Sequence, residues 1–258
     1  MSVAALPDRA ALEAVATCAG AVALAHFRAV APERKPDASL VTAADRAVEA
    51  LLDRELAARW PDVGLLGEEG AARAGRGGLR FVVDPIDGTS AFVAGLPTWC
   101  VSIGLLDGAR PVAGVVHLPV AGEHYTAVGG RAWWNGRPLP RLEDAGTAGD
   151  PFLVADSSVH LGLRVDWPGK IRSLGSAAYH AVLVARGAAQ AALLGRVRVW
   201  DVAAAAALLD AVGGLLAWLD DGAPVDLEAL ARGGRPRDLV VAGTPATIGA
   251  LRAVVRPR

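Results

Sequence analysis

Apolar residues at Leu12, Val15, Ala16, Ala19, Val22 and Ala23 recur at the spacing of one helix face and predict a first helix over residues 8–29. Arg34-Lys35-Pro36-Asp37 breaks that pattern. Thr42-Ala43-Ala44-Asp45 then reads as a helix start of the capping-box kind, with Asp in place of the usual Glu. The helix behind it is expected to bury Val48, Leu51, Leu52 and Leu56, and to run to about Trp60 before Pro61 ends it. From there the period shortens. Apolar runs at 63–66, 81–83, 98–106, 112–118 and 124–128 predict strands, with hairpin turns at Asp107-Gly108 and Asn135-Gly136.

Past residue 150 strands and helices alternate. Strands are expected at 152–155, 171–173, 189–194, 215–218 and 239–242. Helices are expected at 177–186, from an Asp201 cap to Val212, and after Thr244-Pro245, where an N-cap precedes a proline at the first helical position. Gly213-Gly214 closes the middle helix. Residues 143–150, rich in Gly, Ala and acid, mark a boundary between an N-terminal half, 1–142, and a C-terminal half, 151–258. The whole reads as layered α+β structure.

Composition narrows the function. An apolar fraction of 53% indicates a chain that buries a substantial core. No apolar run approaches the 18 or so residues of a membrane span, and Met1-Ser2-Val3 opens no basic-then-apolar leader. Basic and acidic residues number 26 and 27, a balance with no bulk drive toward nucleic acid. Cys18 and Cys100 are too few for a disulfide framework. The expectation is a cytoplasmic protein with no membrane or nucleic-acid partner.

The candidate chemistry centres on Asp84-Pro85-Ile86-Asp87-Gly88-Thr89, read as a buried strand running into a turn. Asp-Pro and Asp-Gly are ordinary turn formers, so two acids here have a purely structural explanation. Asp45 has one too, as a first-turn acid favoured by the helix dipole. Glu68, in Gly67-Glu68-Glu69, could be solvated surface, and Asp201 a helix cap. Together, however, Asp45, Glu68, Asp84, Asp87 and Asp201 all fall at strand ends or helix starts, beside Gly88-Thr89 and Gly175-Ser176. Carboxylates suit a hard divalent cation, and free N–H groups at a helix start suit a phosphate.

Gly67-Glu68-Glu69, the Asp84 to Thr89 hexapeptide and Trp200-Asp201-Val202-Ala203-Ala204, in that order, resemble the signatures of the inositol monophosphatase family. Val41-Thr42-Ala43-Ala44-Asp45 resembles a fourth, weaker one. The resemblance implies the five-layer α-β-α-β-α sandwich shared with fructose-1,6-bisphosphatases, often dimeric. It implies Mg²⁺-dependent hydrolysis of a small phosphate monoester, with two or three ions and inhibition by lithium. By motif position, Glu68, Asp84 and the Ile86 carbonyl would hold one ion, and Asp84, Asp87 and Asp201 another. Gly88 and Thr89 would bind phosphate, and Thr89 with Asp45 would orient the attacking water. Gly175, Ser176, Ala177 and Asp201 would touch the substrate.

The ester itself is less defined. Where inositol-specific members carry an acid before the Trp-Asp pair, this chain has Leu193 or Leu194, which cannot accept hydrogen bonds from hydroxyls. The segment from Lys35 to Thr42 resembles 3′-phosphoadenosine 5′-phosphate and histidinol phosphatases, and Ala91 to Pro97 the latter. Trp200-Asp201 and Val101-Ser102-Ile103-Gly104 follow the inositol type. An inositol-1-phosphate-like ester is the expected substrate. The alternatives are the same chemistry on those other two esters, or a phosphometabolite-binding protein without catalysis.

Overall fold

The computed structural model describes residues 6–36, 39–144, 146–147, 149–234 and 236–258. Asp37 and Ala38, in the interruption before the second helix, and Ala145 and Ala148, in the expected boundary, lie outside them.

The chain opens with helix α1 (Arg9–His26), the short hairpin β1 (Glu33–Arg34) and β2 (Leu40–Val41), and helix α2 (Ala43–Arg59). Strands β3 (Gly64–Gly67), β4 (Ala72–Arg73) and β5 (Leu79–Asp87) follow, then the one-turn helix α3 (Thr89–Val93). A meander of β6 (Cys100–Asp107), β7 (Arg110–Leu118), β8 (Glu123–Val128), β9 (Arg131–Trp134) and β10 (Arg137–Pro138) completes one sheet. The later part contributes β11 (Phe152–Ala155), α4 (Val159–Gly162), β12 (Leu163–Val165), β13 (Lys170–Arg172) and α5 (Ala177–Ala185). It ends with β14 (Ala191–Gly195), α6 (Val199–Val212), β15 (Leu215–Trp218), α7 (Leu227–Ala231), β16 (Val240–Gly243), α8 (Pro245–Val254) and β17 (Val255–Pro257).

Eight strands pair in the order β10-β9-β8-β7-β6-β5-β3-β4, and five in the order β13-β11-β14-β16-β15. In the smaller sheet β13, β11 and β14 run parallel, and β16 is antiparallel to β14. Alternation along each strand distributes the layers. On β5, Phe81 and Val83 face α1 and α2, where they meet Leu12, Leu52 and Leu56. Val82, between them, faces the opposite way, into a core shared with α5 and α6. On β11, Val154 joins that central core, while Leu153 faces Ile248 and Leu251 of α8. The result is five layers: α1 and α2, the large sheet, α5 and α6, the small sheet, and α8.

A helix between two sheets must be apolar all round. α6 meets this with Val202, Leu208 and Leu209 and an unbroken alanine run, all buried. Small residues also let it lie close to the large sheet. A Cβ on Gly104 would stand 2.7 Å from the Ala203 carbonyl carbon, and one on Gly114 2.5 Å from the Ala204 oxygen.

Three local expectations are corrected. α1 ends at His26, not Ala29, because Phe27 turns to extended backbone and Arg28 adopts φ 64°. α6 begins at Val199, so Asp201 is its third residue; instead of capping through its own backbone position, it accepts the Arg198 N–H at 2.7 Å. The strand at 81–83 does not turn at Asp84 but continues to Asp87. Its pairing with β6 slips between Asp84 and Asp87, so two residues, Pro85 and Ile86, sit opposite one. Such a bulge accommodates a proline that has no N–H to donate, and the Ile86 N–H bonds the Asp84 side chain at 2.9 Å instead.

Candidate active site

The bulge aims two carboxylates from one strand at the same point. Asp84 and Asp87 are both buried, and Asp201 reaches them from the first turn of α6. One oxygen from each of the three lies within 4.8 Å of the others. Burial, then the charges of Glu68, Asp87 and Asp201, holds the Asp84 carboxyl far above the ordinary range. Burial and then Asp87 do the same to Asp201. Asp87 rises to about 6 through burial, held there by opposing donors. Crowded buried carboxylates are costly unless positive charge is brought among them. An all-oxygen donor set of this kind fits a hard divalent cation.

Those opposing donors come from the other half of the chain. Asp87 Oδ2 accepts the Ser176 hydroxyl and the Ala178 N–H, each at 2.6 Å, and Oδ1 accepts the Ala177 N–H at 3.3 Å. The expected substrate contacts Ser176 and Ala177 therefore hold a carboxylate. Gly175 lines the same cavity at φ 87°. Gly88 packs against it so closely that a Cβ on Gly88 would come 2.9 Å from the Gly175 oxygen.

Thr89 opens α3, and its hydroxyl lies 3.2 Å from the Ile86 oxygen and 3.4 Å from Asp45 Oδ1. Asp45 is completely buried in the capping box at the start of α2, and its Oδ2 accepts both the backbone N–H and the hydroxyl of Thr42 at 2.7 Å. The capping role and the contact with Thr89 use different oxygens, so one does not exclude the other. Burial pushes Asp45 up despite the Thr42 donors.

Glu68 stands beside Asp84, as its effect on that carboxyl requires, but its Oε1 is engaged by Lys35 at 2.9 Å. Lys35 also bonds Glu69 at 2.7 Å. Burial works against the ammonium, yet the Glu69 and Glu68 hydrogen bonds outweigh it and raise its pKa. A further acid, Glu49, is buried in α2 and accepts the N–H groups of Glu69 and Ala71, both at 2.7 Å. It fixes the loop that carries Glu68. Neither Lys35 nor Glu49 was singled out by sequence reasoning. The signal for Glu49 was present: it shares a helix stripe with Asp45, Val48, Leu52 and Leu56, where an acid is out of place.

These residues line a cavity of about 680 Å³. Glu68, Asp84, Ile86, Asp87, Gly88 and Thr89 line it together with Asp201, Gly175, Ser176 and Ala177. Leu193 and Leu194, both buried, line it as well. The remaining wall includes Asp156, Arg196 and Asp238, which no motif indicated.

The model of the inositol monophosphatase family matches residues 7–239. The chain belongs to that family. It is 34% identical over 221 residues to a histidinol-phosphatase of Chlorobaculum parvum, covering 81% of this chain and 84% of the relative. It is 33% identical to inositol monophosphatase 1 of Solanum lycopersicum, over 70% of this chain and 73% of that one. Among solved structures, the extragenic suppressor protein suhB of Bartonella henselae superimposes with a TM-score of 0.81 and 26% identity, covering 95% of this chain and 96% of that chain. Inositol monophosphatase family members hydrolyse phosphate monoesters with the help of metal, and the protein is a phosphate monoester hydrolase of that kind.

Proposed function

We propose that the protein cleaves a small phosphorylated metabolite, of about the size of inositol 1-phosphate, using two or three Mg²⁺ ions. The observation that carries this reading is the convergence of Asp84, Asp87 and Asp201 within 4.8 Å, in the same cavity as Thr89. Asp84, Asp87 and Asp201 would hold one ion, and Glu68, Asp84 and the Ile86 carbonyl another. When bound, Mg²⁺ neutralises the phosphate dianion, lowers the pKa of a coordinated water and stabilises the leaving alkoxide.

The chain's own groups supply position and proton traffic. The Thr89 hydroxyl donates to Asp45 or to the Ile86 carbonyl, and its lone pairs then face outward to accept a proton from water. Asp45, whose raised pKa makes it a better proton acceptor than an exposed aspartate, orients that hydroxyl. The backbone N–H groups of Gly88 and Thr89 would receive the phosphate oxygens. The reading extends to a cytoplasmic, lithium-sensitive homodimer whose two halves, 1–142 and 151–258, meet at the site. Among the described residues, no helix is long and apolar enough to cross a membrane.

The test is Mg²⁺-dependent phosphate release from a panel of polyol, nucleotide, sugar and amino-alcohol phosphates, with Asp84→Asn alongside. Loss of turnover in a variant that keeps its melting behaviour and circular dichroism is expected. Full activity in that variant would overturn the metal assignment.

A further inference from the structure

The turn Leu174-Gly175-Ser176, between β13 and α5, touches the site at two points. The Ser176 hydroxyl holds Asp87, and the Gly175 oxygen lies against Gly88, where a Cβ would approach it to 2.9 Å. A shift of the turn therefore disturbs a proposed metal ligand and a proposed phosphate-binding residue together. Its own backbone does little to fix it. Gly175 stands at φ 87°, in a region that glycine enters without strain and leaves as readily.

His180, the fourth residue of α5, clasps this turn on both sides of Gly175. Its backbone N–H donates to the Ser176 oxygen at 3.1 Å, and its ring Nε2 accepts the Leu174 N–H at 2.9 Å. Leu174 precedes the helix, so no helical carbonyl is placed to receive its N–H. The ring supplies the acceptor that the backbone does not.

An imidazole is conspicuous at this position. Ala178, Ala181, Val182, Leu183 and Val184 around it in the helix are all buried and apolar, and His180 itself is only 2% exposed. Burying a polar ring is costly unless it makes a hydrogen bond. Burial also keeps the ring neutral, its pKa lowered to about 4, so Nε2 has a lone pair for Leu174 at neutral pH. A ring packed into a helix in this way holds its nitrogen at a set place.

We infer that His180 is a positioning residue for the metal site, acting through the Leu174-Gly175-Ser176 turn. By accepting the Leu174 N–H it sets the turn so that Ser176 meets Asp87 and Gly175 meets Gly88. The path runs from the ring to the turn, from the turn to the Asp87 carboxylate, and from there to the cation. The inference deepens the metal-dependent hydrolysis proposed above and rests on that reading. His180 also lines the cavity, so direct contact with substrate is the competing role that the experiment must separate.

The probe is Mg²⁺ itself, titrated calorimetrically into the full chain, with steady-state kinetics alongside. His180→Phe keeps a buried ring but removes the acceptor, and should weaken Mg²⁺ binding about tenfold, as loss of support behind a metal ligand does. His180→Gln places an amide oxygen at a reach similar to that of Nε2 and should restore the affinity. His180→Phe combined with Ser176→Ala should bind Mg²⁺ about as weakly as Ser176→Ala alone, since both act on Asp87 along one path. If the phenylalanine variant fails to fold, His180→Asn, whose amide stops short of Leu174, should show the same tenfold loss. Wild-type affinity in the variant lacking the acceptor, equal losses with Phe and Gln, or multiplying losses in the double variant would each overturn the inference. So would a rise in KM with unchanged Mg²⁺ affinity, which would assign His180 to the substrate. The expected Mg²⁺ pattern without phosphate release from any ester would uphold the clasp and defeat the phosphatase reading instead.

Discussion

Ser176 Oγ donates to Asp87 Oδ2 across 2.6 Å, tying a carboxylate on β5 to the N-cap of α5. The bond joins the two sheets' contributions at the point where the carboxylates converge. It also leaves Oδ1, which meets only the longer Ala177 bond, as the oxygen free to meet a cation.

Ser176→Ala should therefore weaken Mg²⁺ binding about tenfold to a hundredfold, the usual cost of losing a partner behind a metal ligand. Ser176→Thr, which keeps the hydroxyl, should restore it. Calorimetric titration of Mg²⁺ reads this without turnover. A rise in substrate KM with unchanged metal affinity would instead assign Ser176 to the substrate.

Thr89→Val keeps the shape of the side chain but removes the hydroxyl that lies between Asp45 and the Ile86 carbonyl. A drop of about two to four orders of magnitude in kcat is expected, as for other positioned proton-transfer groups, with little change in KM. Asp45→Asn should do the same while largely preserving the capping bonds from Thr42. Steady-state kinetics on the same ester separate kcat from KM.

Glu49→Ala would strand the Glu69 and Ala71 N–H groups inside the protein. Each unsatisfied donor costs about 1–3 kcal/mol, so urea denaturation should show a loss of a few kcal/mol. The loop bearing Glu68 would loosen with it, and the Mg²⁺ concentration for half-maximal activity should rise. If only stability moves, Glu49 has no bearing on the site.

Gly104→Ala tests the seat of α6. The added methyl would fall 2.7 Å from both the Ala203 carbonyl carbon and the Ala204 nitrogen, backbone that cannot swing aside. Overpacking of this sort costs about 1–3 kcal/mol. Because Asp201 rides on the same helix, activity should fall further than the stability change alone accounts for, measured at a temperature where the variant is fully folded.

Acid should unfold the protein through histidines that are buried neutral. Burial, reinforced by His124 stacked at 3.9 Å, lowers His117 to about 4, and burial lowers His180 to about 4 as well. Unfolded histidine titrates near 6.5, so between pH 6.5 and 4 the unfolded state binds more protons and folding stability falls as pH falls. Each group accounts for about 2 kcal/mol between pH 8 and pH 5. His117→Gln should flatten the pH dependence of the denaturation midpoint by about half of the combined effect.

Most of the secondary structure was legible because its signals are local. The helix stripe at Leu12 to Ala23, the Thr42 to Asp45 box and the alternation on β5 to β8 each depend on neighbours within a few residues. The carboxylates Asp84, Asp87 and Asp201 were legible through their resemblance to a family, whereas local turn chemistry alone read the first two as structural. Asp156 and Asp238 escaped because a lone acid after a strand has no signature. Only the pairing of β11 with β14 puts Asp156 beside Gly195. Lys35 was likewise unreadable, since its two carboxylate partners lie some 33 and 34 positions away.

The order of the proposed ligands along the chain has a consequence for biosynthesis. Asp84 and Asp87 emerge from the ribosome long before Ser176, which orients one of them, and before Asp201, which completes the trio. Until α5 and α6 slot between the sheets, the large sheet carries two acids with no cation trap around them. Metal capture thus reports that the middle helix layer has docked, and no fragment ending before residue 201 should show hydrolysis.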